Sequence, residues 1–147
     1  MTANRTMTIA RLIRATPEKV WRAWTDPEIL PRWFGPTGYS CRTKEIDLRT
    51  GGLWRFDMIG PDGTIWRNRH HALTYAPHHK ITFLLDDDTD AGSPMAVTVT
   101  LTPQSGGTLL TQSVVCPTVD AYTGAVAFGA VELGQTTLAK LAAIVET

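Results

Sequence analysis

Residues 15–28 read Ala15-Thr16-Pro17-Glu18-Lys19-Val20-Trp21-Arg22-Ala23-Trp24-Thr25-Asp26-Pro27-Glu28, and this stretch decides how the rest of the chain divides. Thr16-Pro17-Glu18 is a helix start: a hydroxyl to cap free N–H groups, a proline where its missing N–H costs nothing, and an acid beside the positive helix end. Val20, Trp21 and Trp24 then share a face at i, i+1 and i+4. Asp26-Pro27-Glu28 repeats the start signal and opens a second short helix through Ile29, Leu30, Trp33 and Phe34. Pro31 falls inside that helix, which predicts a kink or a broken turn.

On either side the pattern is that of strands. Residues 6–14 alternate loosely, with Ile9 and Ile13 at strand spacing. Beyond Tyr39, a strand over 41–48 meets Arg49-Thr50-Gly51-Gly52, whose paired glycines permit a tight reversal. Residues 53–59 alternate well, with Trp54, Phe56 and Met58 on one face and Arg55 and Asp57 on the other. Gly60-Pro61-Asp62-Gly63 is the strongest turn signal in the chain. Strands follow at 64–75, 80–85, 95–102 and 108–115, separated by short polar or proline-containing segments. Short strands in direct succession favour an antiparallel meander.

Residues 119–146 read as helix. Val126, Ala130, Leu133, Thr137, Leu141 and Ile144 recur on one helical face, while Gly124, Gly129 and Gly134 weaken the run. A break is expected near Gly124 or Gly129, most of all just before Ala125. The fold class is therefore α+β: one strand, two short helices, about six further strands, then a long C-terminal helix.

Composition narrows the function classes. A chain of 147 residues fits one domain, 1–147, with a substantial core. Its 14 basic and 14 acidic residues balance to zero net charge, which removes the electrostatic footprint of a nucleic-acid or anionic-membrane binder. No apolar run reaches membrane-span length, and the first fifteen residues lack the apolar centre of a signal peptide. Cys41 and Cys116 stand far apart without metal-ligand or redox spacing, so two reduced thiols and a cytoplasmic location are expected.

The order of elements resembles the START-like (SRPBCC) superfamily, and its local motifs resemble homologues of the activator of the heat-shock-protein-90 ATPase. The residues that carry the likeness are the 15–28 stretch, Trp33-Phe34-Gly35-Pro36, the run from Asp47 to Phe56, Gly60-Pro61-Asp62-Gly63 and, more weakly, Leu138-Ala139-Lys140-Leu141. The resemblance implies a helix-grip fold: a curved antiparallel sheet of six to seven strands around the long C-terminal helix, enclosing a pocket. Where the family has a glycine, an aromatic residue and a glutamate at alternate positions of the fourth strand, this chain has His70, Ala72 and Thr74. Strand alternation puts these on the pocket face with Trp66 and Asn68, so the obvious acid–base glutamate is absent and pocket volume is redistributed. The family's Gly-Trp in the last helix is Leu133-Gly134 here.

The expected pocket lining is Trp33, Phe34, Trp54, Phe56, Met58, Trp66, Asn68 and His70, with Tyr122 and Phe128 from the C-terminal segment. Apolar walls with few polar groups suit a small hydrophobic or aromatic ligand; the alternative is that these side chains simply fill the core. His70-His71 and His78-His79 are adjacent pairs that point to opposite faces, so no metal site is expected. Asp86, Asp88 and Asp90 begin like a calcium loop, but Ala91 and Val97 stand where glycine and the bidentate glutamate belong. A solvated, self-repelling and mobile loop is expected instead. No nucleophile elbow, phosphate loop or dinucleotide fingerprint is present, and no cofactor is implied.

The leading expectation is non-catalytic binding of a small hydrophobic molecule, by a monomer or homodimer. An enzyme with His70 as acid–base group, oriented by Asn68, is the second reading. The third is a co-chaperone that stimulates a chaperone ATPase, an activity the family resemblance implies. The eukaryotic activator carries an additional N-terminal domain, for which the segment before the first strand leaves no room.

Overall fold

Thr16 adopts an extended conformation, and its hydroxyl accepts from the N–H of Lys19 at 3.2 Å. With that cap in place, Pro17 opens a helix in a computed structural model that describes residues 2–147. This helix, α1 (Pro17–Thr25), buries Val20, Ala23 and Trp24. A capping turn follows, in which Asp26 Oδ1 accepts from the N–H of Glu28, and a single helical turn, α2 (Leu30–Trp33), begins after it. Pro31 lies within the first turn of α2, where its missing N–H has no helical partner. The expected interruption is therefore not there: the helix starts later than Pro27, and Pro31 helps to open it.

Seven strands form one antiparallel sheet in the order β1-β7-β6-β5-β4-β3-β2. They are β1 (Thr6–Ile13), β2 (Ser40–Asp47), β3 (Leu53–Ile59), β4 (Ile65–Ala76), β5 (Lys80–Asp86), β6 (Met95–Gln104) and β7 (Gly107–Val115). From β2 to β7 the chain is the expected meander, and β1 returns to pair with β7 from Thr6↔Val115 to Ile13↔Thr108. Two helices close the chain, α3 (Val119–Phe128) and α4 (Ala130–Val145). Among the described residues, no helix is long and apolar enough to cross a membrane.

Three expectations about local structure are corrected. The C-terminal helix breaks at Gly129, not before Ala125. Gly129 has a φ of 94°, a left-handed conformation that only glycine adopts freely, whereas Gly124 continues through α3. The buried face of α4 is Leu138, Leu141, Ala142 and Val145; Val126 and Ile144 are exposed, Val126 because it lies in α3 before the break and Ile144 because it stands at the edge of the buried face of α4.

The alternation assumed for β4 also fails beyond His71. Ala72 has a φ of 51°, and the register with β5 shifts between His71 and Thr74. Such a bulge adds one residue and exchanges the faces beyond it. Leu73 turns inward and is buried, while Ala72 and Thr74 are exposed, and the Thr74 hydroxyl bonds across the strands to Thr82. Neither Ala72 nor Thr74 faces the pocket.

The acidic segment after β5 is tied down. Arg69 binds Asp86 through Nε and Nη2 at 2.9 and 2.6 Å and also reaches Asp90 at 2.9 Å. Arg55 holds Asp88 through Nε and Nη2 at 2.9 and 3.0 Å. His71 Nε2 meets Asp86 at 2.9 Å, and Lys44 bridges Asp57 at 3.0 Å. Hydrogen bonds from Arg55 hold the Asp88 carboxyl, and those from Arg42 the Asp57 carboxyl, below the ordinary carboxylate range. Repulsion among the aspartates is offset by cations on β3 and β4 that are far away in sequence.

Candidate functional site

The inner face of the sheet is filled at one end and hollow at the other. At the filled end, Trp54 and Phe56 stack with ring centroids 3.7 Å apart, and the Trp54 indole donates to Thr43 Oγ1 at 3.0 Å. Trp33 meets Trp24 edge-on at 4.8 Å and donates to the carbonyl of Ala23 at 2.9 Å. His70 lies flat on Phe83 at 4.1 Å, with the edges of Phe34, Trp54 and Phe56 around it. It is 2% exposed, and its Nε2 has no hydrogen-bond partner among the described residues. This burial drives the imidazole pKa down to about 3, with a further push from His71. His70 is neutral at physiological pH.

At the hollow end lies a cavity of about 420 Å³, within the range of small-molecule sites. The sheet contributes Met58, Trp66, Asn68, Leu85 and Met95; α4 contributes Ala130, Leu133, Gly134 and Thr137; Phe128 closes over it from the end of α3. The third wall is the segment Phe34-Gly35-Pro36 with Tyr39. Gly35 has a φ of 99°, a left-handed conformation that favours glycine, and a Cβ there would press on the flexible end of Met58 at 3.1 Å. Trp66 and Phe128 face each other at 6.2 Å and are 47% and 63% exposed, which places them at the mouth.

The loop wall is fastened to α4. The N–H of Thr37 donates to Thr136 Oγ1 at 3.0 Å, and Lys140 Nζ donates to the carbonyls of Pro36 and Tyr39 at 3.4 and 3.2 Å. Cys41 donates its thiol to the carbonyl of Phe34 at 3.3 Å. Burial pushes that thiol up to about 12, against the opposing pull of Lys140. It stays protonated and is a poor nucleophile. Both cysteines are free thiols. Among the described residues, no three His, Cys, Asp or Glu side chains converge at metal-ligand spacing.

Of the side chains expected to line a pocket, Phe34, Met58, Trp66, Asn68 and Phe128 border this cavity. Trp33, Trp54, Phe56 and His70 belong to the packed aromatic floor behind it, and Tyr122 on α3 is not part of its wall. Tyr39, Leu85, Met95, Leu133, Gly134 and Thr137, with Gly35, Pro36 and Ala130, complete the lining and are not among the side chains expected there. Gly134 carried a signal: a residue without a side chain on a sheet-facing helix lets that helix lie close to the sheet. A Cβ there would meet only the end of Ile9 at 2.9 Å.

Comparisons with known proteins agree with this architecture. The family described as Activator of Hsp90 ATPase homolog 1-like protein matches residues 14–146. A crystal structure from Chromobacterium violaceum is 29% identical, covers 97% of this chain and 98% of its own, and superposes with a TM-score of 0.80. One from Nitrosomonas europaea is 25% identical, with coverages of 99% and 97% and a TM-score of 0.85. The AHSA1 protein from Silicibacter pomeroyi shares the fold at 22% identity, with coverages of 94% and 95% and a TM-score of 0.74. No protein of curated function matches the chain significantly. The family match spans nearly the whole chain, and the helix-grip arrangement of sheet, paired short helices and C-terminal helix accompanies it: the chain belongs to the Activator of Hsp90 ATPase homolog 1-like family of the START-like superfamily.

Proposed function

We propose that this domain binds a small, mainly apolar molecule in the cavity between the sheet and α4, without transforming it. The observation that carries the reading is the wall itself. Met58, Trp66, Leu85, Met95, Phe128 and Leu133 surround about 420 Å³, with Tyr39, Asn68 and Thr137 as the polar side chains among the lining. Burial of an apolar ligand there is favourable at roughly 25 cal/mol per Å² removed from water, and the few polar groups orient it. The position of His70 supports a structural role over an acid–base one. It is sealed among rings and held neutral by desolvation, far from the poised pKa that proton transfer at neutral pH favours.

Native mass spectrometry of freshly purified protein tests the reading directly and is expected to show a co-purifying small molecule. Thr137→Leu, which adds apolar bulk to the cavity wall, is expected to abolish binding of hydrophobic probes followed by tryptophan fluorescence. It should change stability by less than about 1.5 kcal/mol. If tryptophan fluorescence and the melting temperature of the wild type ignore a broad hydrophobic library, the reading fails.

The description of the family supports a second reading, stimulation of a chaperone ATPase. An ATPase assay with the host's own chaperone decides it: no stimulation at saturating protein removes this activity.

A further inference from the structure

Beside the mouth of the cavity lies a recess of about 360 Å³, lined by Tyr39, Trp66 and Phe128 together with Pro61, Asp62 and Thr64. The three aromatic side chains border both spaces. Trp66 pairs with Met58 on the inner face of the sheet, and Phe128 meets its ring with centroids 6.2 Å apart. The turn between β3 and β4 brings a carboxylate to the same side. A Cβ placed on Gly60 would lie 3.3 Å from Tyr39 Cε2 and 3.3 Å from Asp62 Oδ1, so the phenol ring and the carboxylate flank one point. Asp62 Oδ1 accepts from the N–H of Thr64 at 3.0 Å, and this bond holds the carboxyl below the ordinary carboxylate range. Among the described residues, no Lys, Arg or His pairs with Asp62. Lys140 is committed to the carbonyls of Pro36 and Tyr39 and borders neither space.

We infer that this recess binds a quaternary ammonium group, the head of a molecule whose apolar body lies in the cavity. The inference rests on the cavity being a ligand site and adds the group that stands at its mouth. Aromatic rings attract a cation electrostatically through their quadrupoles. A quaternary ammonium suits them because its charge lies under methyl groups, so it donates no hydrogen bond and gives up its water readily. Asp62 supplies the opposite charge. The same lining disfavours a phosphocholine lipid: among the described residues, no basic side chain borders the recess or the cavity, so a phosphate would meet Asp62 with no cation to offset the repulsion.

The test is calorimetry on the intact protein with three probes below their micellar concentrations: decyltrimethylammonium, decylammonium and decylphosphocholine. 2-Methylnaphthalene serves as a fourth probe that has a body and no head. Decyltrimethylammonium is expected to bind about tenfold more tightly than decylammonium, the scale of a cation held by more than one ring, and more tightly than decylphosphocholine. Trp66→Leu and, separately, Phe128→Leu, both at exposed positions, should erase most of the preference for the trimethylated head. Asp62→Asn keeps the acceptor for Thr64 and should weaken decyltrimethylammonium by about threefold while 2-methylnaphthalene binds as before. Decylammonium or decylphosphocholine binding as tightly as decyltrimethylammonium overturns the inference, as does a preference that survives both ring substitutions. Binding of 2-methylnaphthalene without preference among the decyl probes leaves the cavity as the site and removes the recess from it. If no probe binds, both fail together.

Discussion

Trp54, Phe56 and Met58 project from the same face of β3, yet the first two are sealed in a solid core and the third borders a cavity. β4 runs the same course in reverse, from Trp66 at the mouth through Asn68 to the buried His70. The strands do not change character along this path; what faces them does. The C-terminal turns of α4 present Leu138, Leu141, Ala142 and Val145, and α1 and α2 add Trp24 and Trp33 beside them. The N-terminal turns of α4 present Ala130, Gly134 and Thr137 along with Leu133. Protein interiors fill to near crystal density unless the facing volumes fall short. A strand pattern therefore defines an inner face, and the partner helix decides whether that face is core or container.

Substitutions on β3 put this contrast to its hardest test. Phe56→Ala removes a ring with no exposed surface and is expected to cost about 4 kcal/mol. Met58→Ala, two residues along on the same face, trims a side chain that already borders open space and should cost about 1 kcal/mol. Urea denaturation of the pair measures the difference, and equal losses would show that the two ends are packed alike.

Acid titration of stability marks where the solid end begins. Folding lowers the His70 pKa to about 3, whereas the unfolded side chain binds its proton near its ordinary value of about 6.5. The unfolded state therefore holds more protons between these values. The contribution of neutral His70 is complete above about pH 6.5 and falls by roughly 1.4 kcal/mol per unit as the pH drops toward 3. The lowered aspartates Asp57, Asp86 and Asp88 also lose stability in acid, but their window opens only near the ordinary carboxylate range of about 4. His70→Leu should flatten the slope between about pH 6 and 4.5, and an unchanged slope would place the imidazole in contact with solvent.

The smallest expected effect lies at the rim of the hollow end. Arg69→Gln releases Asp86 and Asp90 from their guanidinium clamp. Amide exchange in residues 86–93 should accelerate about tenfold while exchange across the core strands stays as it was. If the loop exchanges no faster, backbone turns rather than Arg69 order it.

How much of this was legible in the sequence follows from the range of each interaction. The Thr16 cap, the Pro17 helix start and the run of strands from β2 to β7 rest on contacts between near neighbours, and they lie within one or two residues of where periodicity put them. The positions that misled are those where local pattern and distant packing disagree. Ala72 has nothing in its identity to announce a left-handed φ, and the bulge it makes carries Thr74 away from the pocket. Gly124 and Gly129 look alike in the sequence, and only the packing of α4 against the sheet selects Gly129 as the break. Repulsion among Asp86, Asp88 and Asp90 is visible locally, but the arginines that offset it sit on other strands.

For the site the division is the same. The sequence by itself determined the α+β order, the family resemblance and an inner face rich in aromatic side chains, because period-2 and period-3.6 patterns are imposed by the backbone. The tertiary structure alone decided that Trp33, Trp54, Phe56 and His70 are floor while Phe34, Met58, Trp66, Asn68 and Phe128 are wall. Whether an apolar side chain fills a core or lines a cavity depends on the volume standing opposite it. Here that volume is set by the phase of α4 after Gly129 and by the close approach of the Gly35 loop, neither of which is written in the strands themselves.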